Sequence, residues 1–584
     1  MKDSISIKRY HEWLENPLFD DDTKAELKAI SNDQKEIDDR FYQHLNFGTA
    51  GLRGILGAGT NRMNRYTVAR AADGFARSIV DRGEEAMAKG IAISFDSRRC
   101  SPEFAELTAR IFVKHGIKVY LSDRLRPVPM LSYTIRHFGC AGGVMITASH
   151  NPKVYNGFKA YGSDGGQMPP AEADAVVAKM AERDDYAALY GETPALEECR
   201  KSPLWHEFGE EIDKAYNDML LGLSIDNECV KKQKDLKIIY TPLHGAGNRP
   251  VRRVLESLGF ENIIVVPEQA EPNSEFPTAP YPNPEEREAM QMGIDLAEKE
   301  QADLLIATDP DADRTGVAVR TSEGDFVVLS GNQIGILLMD YILGAKQKSN
   351  TLPEKSFCVT TIVSTKLTRP IAEHYDVNLY EVLTGFKFIA EQIKNRDENG
   401  DEHFQFGFEE SIGYLAGTEV RDKDAVVASM LIAEMAASAA CEGKTLYDRL
   451  QDLYKKYGYG AEKTVSLRRE GKEGLEKIAK TMAYLRDHCE DGFTGFPVTA
   501  VNDYQAQKRY NLVENTVETL DLPKSNVLLY ELEGLDWFCA RPSGTEPKLK
   551  IYMGFYDKDP DAAQQRFAEA ANSVPALIEE LLDA

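Results

Sequence analysis

Asp309, Asp311 and Asp313 stand at alternate positions after the apolar run Asp303-Leu-Leu-Ile-Ala-Thr308, and Arg314 closes the segment. In extended backbone, alternate side chains face the same way, so the spacing predicts three carboxylates aimed at one hard cation. Mg²⁺ takes oxygen ligands in octahedral geometry and keeps positions for phosphate or water. Without a cation, carboxylates clustered like this would repel one another. An EF-hand loop would carry Gly at its sixth position and Glu at its twelfth, where this chain has Arg314 and Arg320. The plain alternative is a solvated acidic turn.

Thr147-Ala-Ser149-His150-Asn151-Pro152 follows a second apolar run, residues 143–147. Ligand sites in α/β proteins lie at such strand ends, so Ser149 could be a nucleophile or a phosphate carrier. No GxSxG elbow surrounds it. Lys159, in Asn156-Gly-Phe-Lys159, could give or take a proton. A hydrogen-bonded Ser/Asn-Pro turn is the bland reading. In Arg541-Pro-Ser543-Gly544-Thr545-Glu-Pro547, small residues allow a backbone anion nest, and Arg541 adds a planar cation suited to phosphate. Gly48-Thr-Ala-Gly51-Leu-Arg53-Gly54 has the same chemistry. Gly407-Phe-Glu409-Glu410-Ser411-Ile-Gly413 offers acids and a serine for sugar hydroxyls, which both donate and accept hydrogen bonds. Arg421-Asp-Lys423-Asp424 could add a phosphate-facing cation or be a solvated charge run. GxxxxGK[ST], GxGxxG after a strand and HExxH are absent.

Alternating helices and strands must position these loops. Thr67–Asp81 and Pro102–His115 read as helices, and Ile117–Leu121 as a strand between such helices. The pattern restarts near Leu236 and again over 322–455, which predicts βαβ units with parallel or mixed sheets. Tyr457-Gly-Tyr-Gly460 reads as a boundary before a smaller α+β region. The expected domains are 1–206, 207–321, 322–456 and 457–584.

The chain has 584 residues, is 42% hydrophobic and 28% charged, and carries a formal net charge of −25. That charge argues against nucleic acid as a partner and asks for local cations around any anionic substrate. The eight cysteines form no CxxC pair, which fits a reducing, cytoplasmic location. The polar start and the lack of an apolar run of ~20 residues predict no membrane partner.

The serine loop at 147–152, the aspartate loop at 309–314, the acidic loop at 408–411 and the loop at 541–547, in this order, resemble the α-D-phosphohexomutase family over nearly the whole chain. The Gly-Thr-Ala-Gly-Leu-Arg-Gly start and the Phe-Glu-Glu-Ser loop look most like the branch holding bacterial phosphoglucomutases and related phosphopentomutases. The resemblance implies three related α/β domains with mixed sheets plus a smaller C-terminal α+β domain around a central cleft. By that analogy Ser149 carries the phosphoryl group, and Mg²⁺ binds Asp309, Asp311, Asp313 and an oxygen of phosphorylated Ser149. Arg314 lies beside the moving group and Arg53 near the phosphoserine. Lys159 and His150 stand where one of them moves the proton. Glu409 and Ser411 hold sugar hydroxyls, and Thr384, Gly385 and Lys387 belong to a loop that helps to choose the sugar. Arg541, Ser543, Gly544 and Thr545 clamp the non-reacting phosphate, with Lys423 as a further cation for substrate.

The implied reaction interconverts glucose 1-phosphate and glucose 6-phosphate through glucose 1,6-bisphosphate, by a monomer or homodimer. Mannose and pentose phosphates remain open as substrates, as does bisphosphate synthesis. Outside the class, a Mg²⁺-dependent sugar phosphatase and a sugar-phosphate sensor are the rivals. Two departures bear on the sugar: Phe408 stands where many members have Gly, and Phe386 where members vary.

Overall fold

The computed structural model describes residues 4–48, 51–469, 471–489, 495–543 and 548–583. The chain divides into two compact units: residues 1–330 with 411–445, and residues 331–410 with 446–584. Helices Ile5–Glu15, Asp21–Ala29 and Gln34–Phe41 open the first unit.

The first sheet of this unit has six strands. From edge to edge they are Leu52–Ile55, Tyr155–Tyr161, Gly142–Ile146, Ile91–Phe95, Val119–Ser122 and Trp205–Phe208. Gly142–Ile146, Ile91–Phe95, Val119–Ser122 and Trp205–Phe208 run parallel. Tyr155–Tyr161 and Leu52–Ile55 pair antiparallel at one side. Helices cover both faces, so the central strands are apolar on both sides. Ile93, Val144, Ile146, Phe75 and Phe112 share one buried core. Helix Arg65–Asp81 starts at a capping box: Asn64 accepts from the Thr67 N–H while the Thr67 hydroxyl accepts from the Asn64 N–H.

The second sheet repeats the plan with five strands: Phe326–Leu329, Thr315–Arg320, Leu304–Thr308, Ile238–Thr241 and Ile263–Val265. The last three are parallel, and the first two turn back antiparallel. In both sheets a central parallel strand runs into a candidate loop, and the chain then returns as an antiparallel neighbour. Gly142–Ile146 leads to Ser149 and returns as Tyr155–Tyr161. Leu304–Thr308 leads to Asp309 and returns as Thr315–Arg320. Helix Ala425–Cys441 is buried almost all round, and its N-cap Asp424 accepts the N–H groups of Val426 and Val427.

In the second unit, Ser356–Thr361 runs parallel between Asn378–Val382 and His403–Glu409. The C-terminal part is a seven-stranded antiparallel sheet carrying helices Gly471–Asp487 and Pro560–Asp583. Three α/β sheets and one β-rich C-terminal domain are therefore the architecture that the alternating pattern predicts. Among the described residues, no single helix is long and apolar enough to cross a membrane.

Candidate active site

The three aspartates converge, but not by strand alternation. Leu304–Thr308 ends before them, and Asp309 to Arg314 form a turn in which Ala312 takes a left-handed φ of 46°. Asp309 Oδ1 accepts the backbone N–H groups of Asp313 and Arg314, each at 3.1 Å, and thereby closes the turn on itself. An extended segment would place Asp309 and Asp313 two strand repeats apart, roughly 13 Å. The turn instead brings one oxygen from each of the three carboxylates within 4.8 Å of the others. The neighbouring loop 241–247 fits tightly against it: a Cβ on Gly245 would lie 2.4 Å from Pro310 Cα.

The cluster has the character of a cation site. Asp311 Oδ1 and Asp313 Oδ1 are buried and have no hydrogen-bond partner among the described residues. Buried anionic oxygens are costly to leave unmatched, and hard oxygen donors suit Mg²⁺. Two ammonium groups balance part of the charge. Lys159 Nζ lies 2.8 Å from Asp311 Oδ2 and 3.3 Å from Asp313 Oδ2. Lys423 Nζ lies 3.2 Å from Asp313 Oδ2 and 3.1 Å from Asp422 Oδ1. Burial pushes the Asp309 carboxyl well above its ordinary value, and the charges of Asp311 and Asp313 add to the rise. Burial acts the same way on Asp313, but Lys423, Lys159 and Arg314 outweigh it and hold that carboxyl below the usual range. Burial also opposes the charge on Lys159, yet Asp311 and Asp313 lift its ammonium above the ordinary lysine value.

Ser149 meets this cluster from the adjacent loop. It is buried, with φ 53°. Its Oγ donates to Asp309 Oδ2 at 2.9 Å and lies 3.2 Å from His150 Nδ1. His150 is held well below its ordinary value by burial first, then by the charges of Arg314 and Arg53. Arg53 is exposed on the edge strand opposite Gly157. Arg314 Nη1 lies 3.7 Å from Glu285 Oε2. Asp309, Asp311, Asp313, Ser149, His150, Lys159, Lys423, Arg314 and Arg53 thus all belong to the first unit, as does Ser411.

The second unit holds Glu409, Thr384, Gly385, Lys387, Arg541 and Ser543. The buried Glu409 accepts the Gly385 N–H at 2.6 Å. Thr384 Oγ1 is buried and lacks a hydrogen-bond partner. Glu410 Oε2 accepts from the Thr361 hydroxyl at 3.2 Å. Burial and the neighbouring Glu409 push Glu410 up to about 7, against the pull of Lys550 and Arg541. Arg541 donates to the Tyr552 hydroxyl at 3.1 Å. Gly544 and Thr545 lie outside the described residues.

The two departures from the family pattern are both buried side chains. Phe408 and Phe386 are each 1% exposed. Phe408 packs so closely against helix Gly331–Lys348 that a Cβ on Gly335 would lie 2.3 Å from its ring. Both side chains are packed in the interior of the second unit.

Sequence reasoning missed the groups that hold the serine loop. Thr147 Oγ1 lies 2.6 Å from Asp96 Oδ2 and 3.1 Å from Asp311 Oδ2, and it accepts the Ser149 N–H at 2.8 Å. Arg98 donates to the Ser149 carbonyl. Asp96 and Arg98 lie some 50 residues upstream of Ser149, and a charged pair at the end of an apolar strand was the one available signal.

The chain matches the description phosphoglucomutase/phosphomannomutase, alpha/beta/alpha domain I, over residues 44–187. Domain II of the same family matches 214–324, and domain III matches 330–457. The chain is 37% identical over 560 residues to a phosphoglucomutase of Staphylococcus epidermidis strain RP62A, covering 95% of this chain and 99% of that one. It is 36% identical over 582 residues to a phosphoglucomutase of Staphylococcus aureus strain N315, covering 99% and 100%. The open form of the exocytosis-sensitive phosphoprotein pp63/parafusin, a phosphoglucomutase from Paramecium, is similar in fold. Its TM-score is 0.65 at 17% identity, over 93% of this chain and 95% of that one. A phosphoglucomutase/phosphomannomutase family protein of Burkholderia thailandensis gives 0.62 at 16% identity, over 90% and 97%. Three consecutive domain matches and full-length relatives above one-third identity lead to one assignment: this chain belongs to the α-D-phosphohexomutases, the phosphoglucomutase/phosphomannomutase family.

Proposed function

We propose that this enzyme is a phosphoglucomutase that interconverts glucose 1-phosphate and glucose 6-phosphate through phosphorylated Ser149. The observation that carries the reading is the Ser149 hydroxyl, 2.9 Å from Asp309 inside a buried triad of carboxylates. The near full-length relatives named phosphoglucomutase support the choice of sugar. The proposal keeps four domains, at 1–206, 207–321, 322–456 and 457–584, and a cytoplasmic location.

Asp309, Asp311 and Asp313 would hold Mg²⁺ together with an oxygen of the phosphorylated serine. Bound there, the ion supplies charge neutralisation for a moving phosphoryl group. The protein's own groups do the rest. Arg314 and Arg53 add fixed positive charge near Ser149. Lys159 or His150 would hold or take the hydroxyl proton, and His150 Nδ1 lies 3.2 Å from Ser149 Oγ. Lys423 balances Asp313 and Asp422 from the far side of the cluster.

In the second unit, Arg541, Ser543, Gly544 and Thr545 would bind the phosphate that is not reacting. An arginine and a backbone nest read phosphate and ignore what it is attached to. That indifference suits a mutase, because glucose 1,6-bisphosphate must present either end. Glu409 with Ser411, Thr384, Gly385 and Lys387 would hold the sugar in both orientations.

The test is a coupled assay of glucose 6-phosphate formation from glucose 1-phosphate with Mg²⁺ and trace glucose 1,6-bisphosphate. Mannose 1-phosphate and ribose 1-phosphate run beside it. The glucose ester is expected to turn over fastest, and Ser149→Ala to lose turnover altogether. Full activity in Ser149→Ala defeats the phosphoserine reading. A faster rate with another sugar defeats the glucose assignment alone, and release of inorganic phosphate points to a phosphatase.

A further inference from the structure

Ser149 does not choose its own conformation. A left-handed φ is uncommon outside glycine, and a residue holds it when the surroundings over-determine it. Its peptide N–H is taken by Thr147 Oγ1 at 2.8 Å. On the carbonyl side the loop converges on one buried side chain. Arg98 follows strand Ile91–Phe95, two residues after Asp96, and its side chain is 0% exposed. Its Nη2 donates to the carbonyls of Ser149 and Asn151. Its Nη1 donates to the carbonyls of Pro152 at 3.0 Å and Tyr155 at 3.1 Å. Its Nε lies 3.3 Å from Asp96 Oδ2. The guanidinium also lies over the Phe276 ring, 5.1 Å from the centroid.

A guanidinium is a planar fork with five donors in fixed directions, which is why one side chain can gather four carbonyls. An ammonium is a single point with three donors and cannot span the same set. The anchor is itself anchored. Asp96 accepts the Arg98 N–H at 3.0 Å and the Ser101 hydroxyl at 2.8 Å, and it lies 2.6 Å from Thr147 Oγ1. Both ends of the serine loop are therefore referred to the end of one central strand. The need for this is electrostatic. Phosphorylation attaches to Ser149 Oγ a group bearing roughly two negative charges, and each half-reaction removes or restores that group. The loop must keep one geometry through that change, since a displacement near 1 Å costs about 10²-fold in rate.

We infer that Arg98 is a positioning residue for phosphoryl transfer: its buried guanidinium gathers the carbonyls of Ser149, Asn151, Pro152 and Tyr155 and thereby aims Ser149 Oγ at Asp309. The consequence for turnover rests on the mutase reading above. The consequence for the loop does not.

The experiment compares wild type with Arg98→Lys and Arg98→Gln in two readouts. The first is kcat and KM for glucose 1-phosphate. Arg98→Lys is expected to lower kcat by about 10²-fold while KM stays within about threefold, because the clamp and sugar groups are untouched. The second is hydrogen exchange with the peptide spanning 147–155. Its exchange is expected to rise about tenfold in Arg98→Lys, with the rest of the first unit unchanged. A purely structural role would instead raise exchange throughout that unit and lower the melting temperature in step. The assignment is overturned by that global pattern, by a kcat within threefold of wild type, or by an unchanged 147–155 peptide in either variant. A wild-type enzyme silent on every sugar phosphate overturns the mutase reading alone, and the exchange readout then decides Arg98 by itself.

Discussion

Asp309, Asp311 and Asp313 in the first unit and Glu409 and Glu410 in the second are both acidic groups at strand ends, yet they are built differently. The aspartates are surrounded by fixed charge: Lys159 and Lys423 contact Asp311 and Asp313 directly, and with Arg314 they hold the Asp313 carboxyl below the usual range. At the glutamates, the Gly385 N–H donates to Glu409 and the Thr361 hydroxyl to Glu410, while burial and Glu409 raise Glu410 against the pull of Lys550 and Arg541. The difference suits the roles proposed above. Phosphoryl transfer moves charge, and a preorganised ionic cluster does not have to reorganise when the charge arrives. Sugar hydroxyls are neutral and donate and accept alike, so carboxylates in a softer setting can serve two orientations of one ligand.

Four substitutions break or sharpen that contrast. Asp311→Asn takes a formal charge from the ionic cluster, and turnover should fall by about 10²–10³-fold even in excess Mg²⁺. A loss below tenfold in the coupled assay would show that the cluster is not where transfer occurs. Glu409→Gln should act on binding instead, raising KM about tenfold with kcat nearly unchanged, since the lost interaction is made equally in ground and transition states. Steady-state kinetics separate the two patterns directly.

Asp309→Asn turns the contrast into a stability measurement. The folded carboxyl has a raised value, so near neutral pH its ionisation opposes folding, and the amide removes that cost while keeping the Oδ1 acceptor. In EDTA the variant should melt ~2–4 °C above wild type. Mg²⁺ should raise the wild-type melting temperature and leave the variant nearly unmoved, because only a bound ion stabilises by mass action. Equal Mg²⁺ shifts in the two proteins would place the ion elsewhere.

Glu410→Gln gives the smallest effect. The folded value of about 7 lies above the ordinary 4.5. Across that window the folded state keeps a proton that the unfolded state has released, so stability falls as pH rises. Urea midpoints of wild type should therefore decline from pH 5 to 7 relative to Glu410→Gln, and parallel curves would remove Glu410 as the cause.

The local pattern carried far because the chemistry sits at strand ends. An apolar run that stops near Ser149 or Asp309 marks both the strand and the loop, since buried parallel strands read as predominantly apolar runs. The antiparallel return strand Tyr155–Tyr161 was harder to see. Its Lys159 and Asn156 are polar but buried, satisfied by partners distant in sequence, and they break the expected alternation. Spacing offers Lys423 as a cation beside the acidic loop, and tertiary structure sets it next to Asp313 and Asp422. The burial of Phe408 and Phe386 was equally out of reach of spacing, because it depends on neighbours such as helix Gly331–Lys348, packed against Phe408.

Residue types and spacing by themselves determined the α/β class, the family, and the oxygen-rich aspartate loop, because each of those depends on contacts made within a few residues. Tertiary structure alone decided how the carboxylates converge. Strand alternation points to an extended segment, whereas a left-handed Ala312 and the Asp309 hydrogen bonds fold it into a turn. It also decided that Arg98 grips the serine loop and that two lysines far apart in sequence meet on Asp313. Those contacts span from 51 to more than 150 residues of chain. No local propensity encodes them; they exist because packed sheets bring the ends of separate strands to one place.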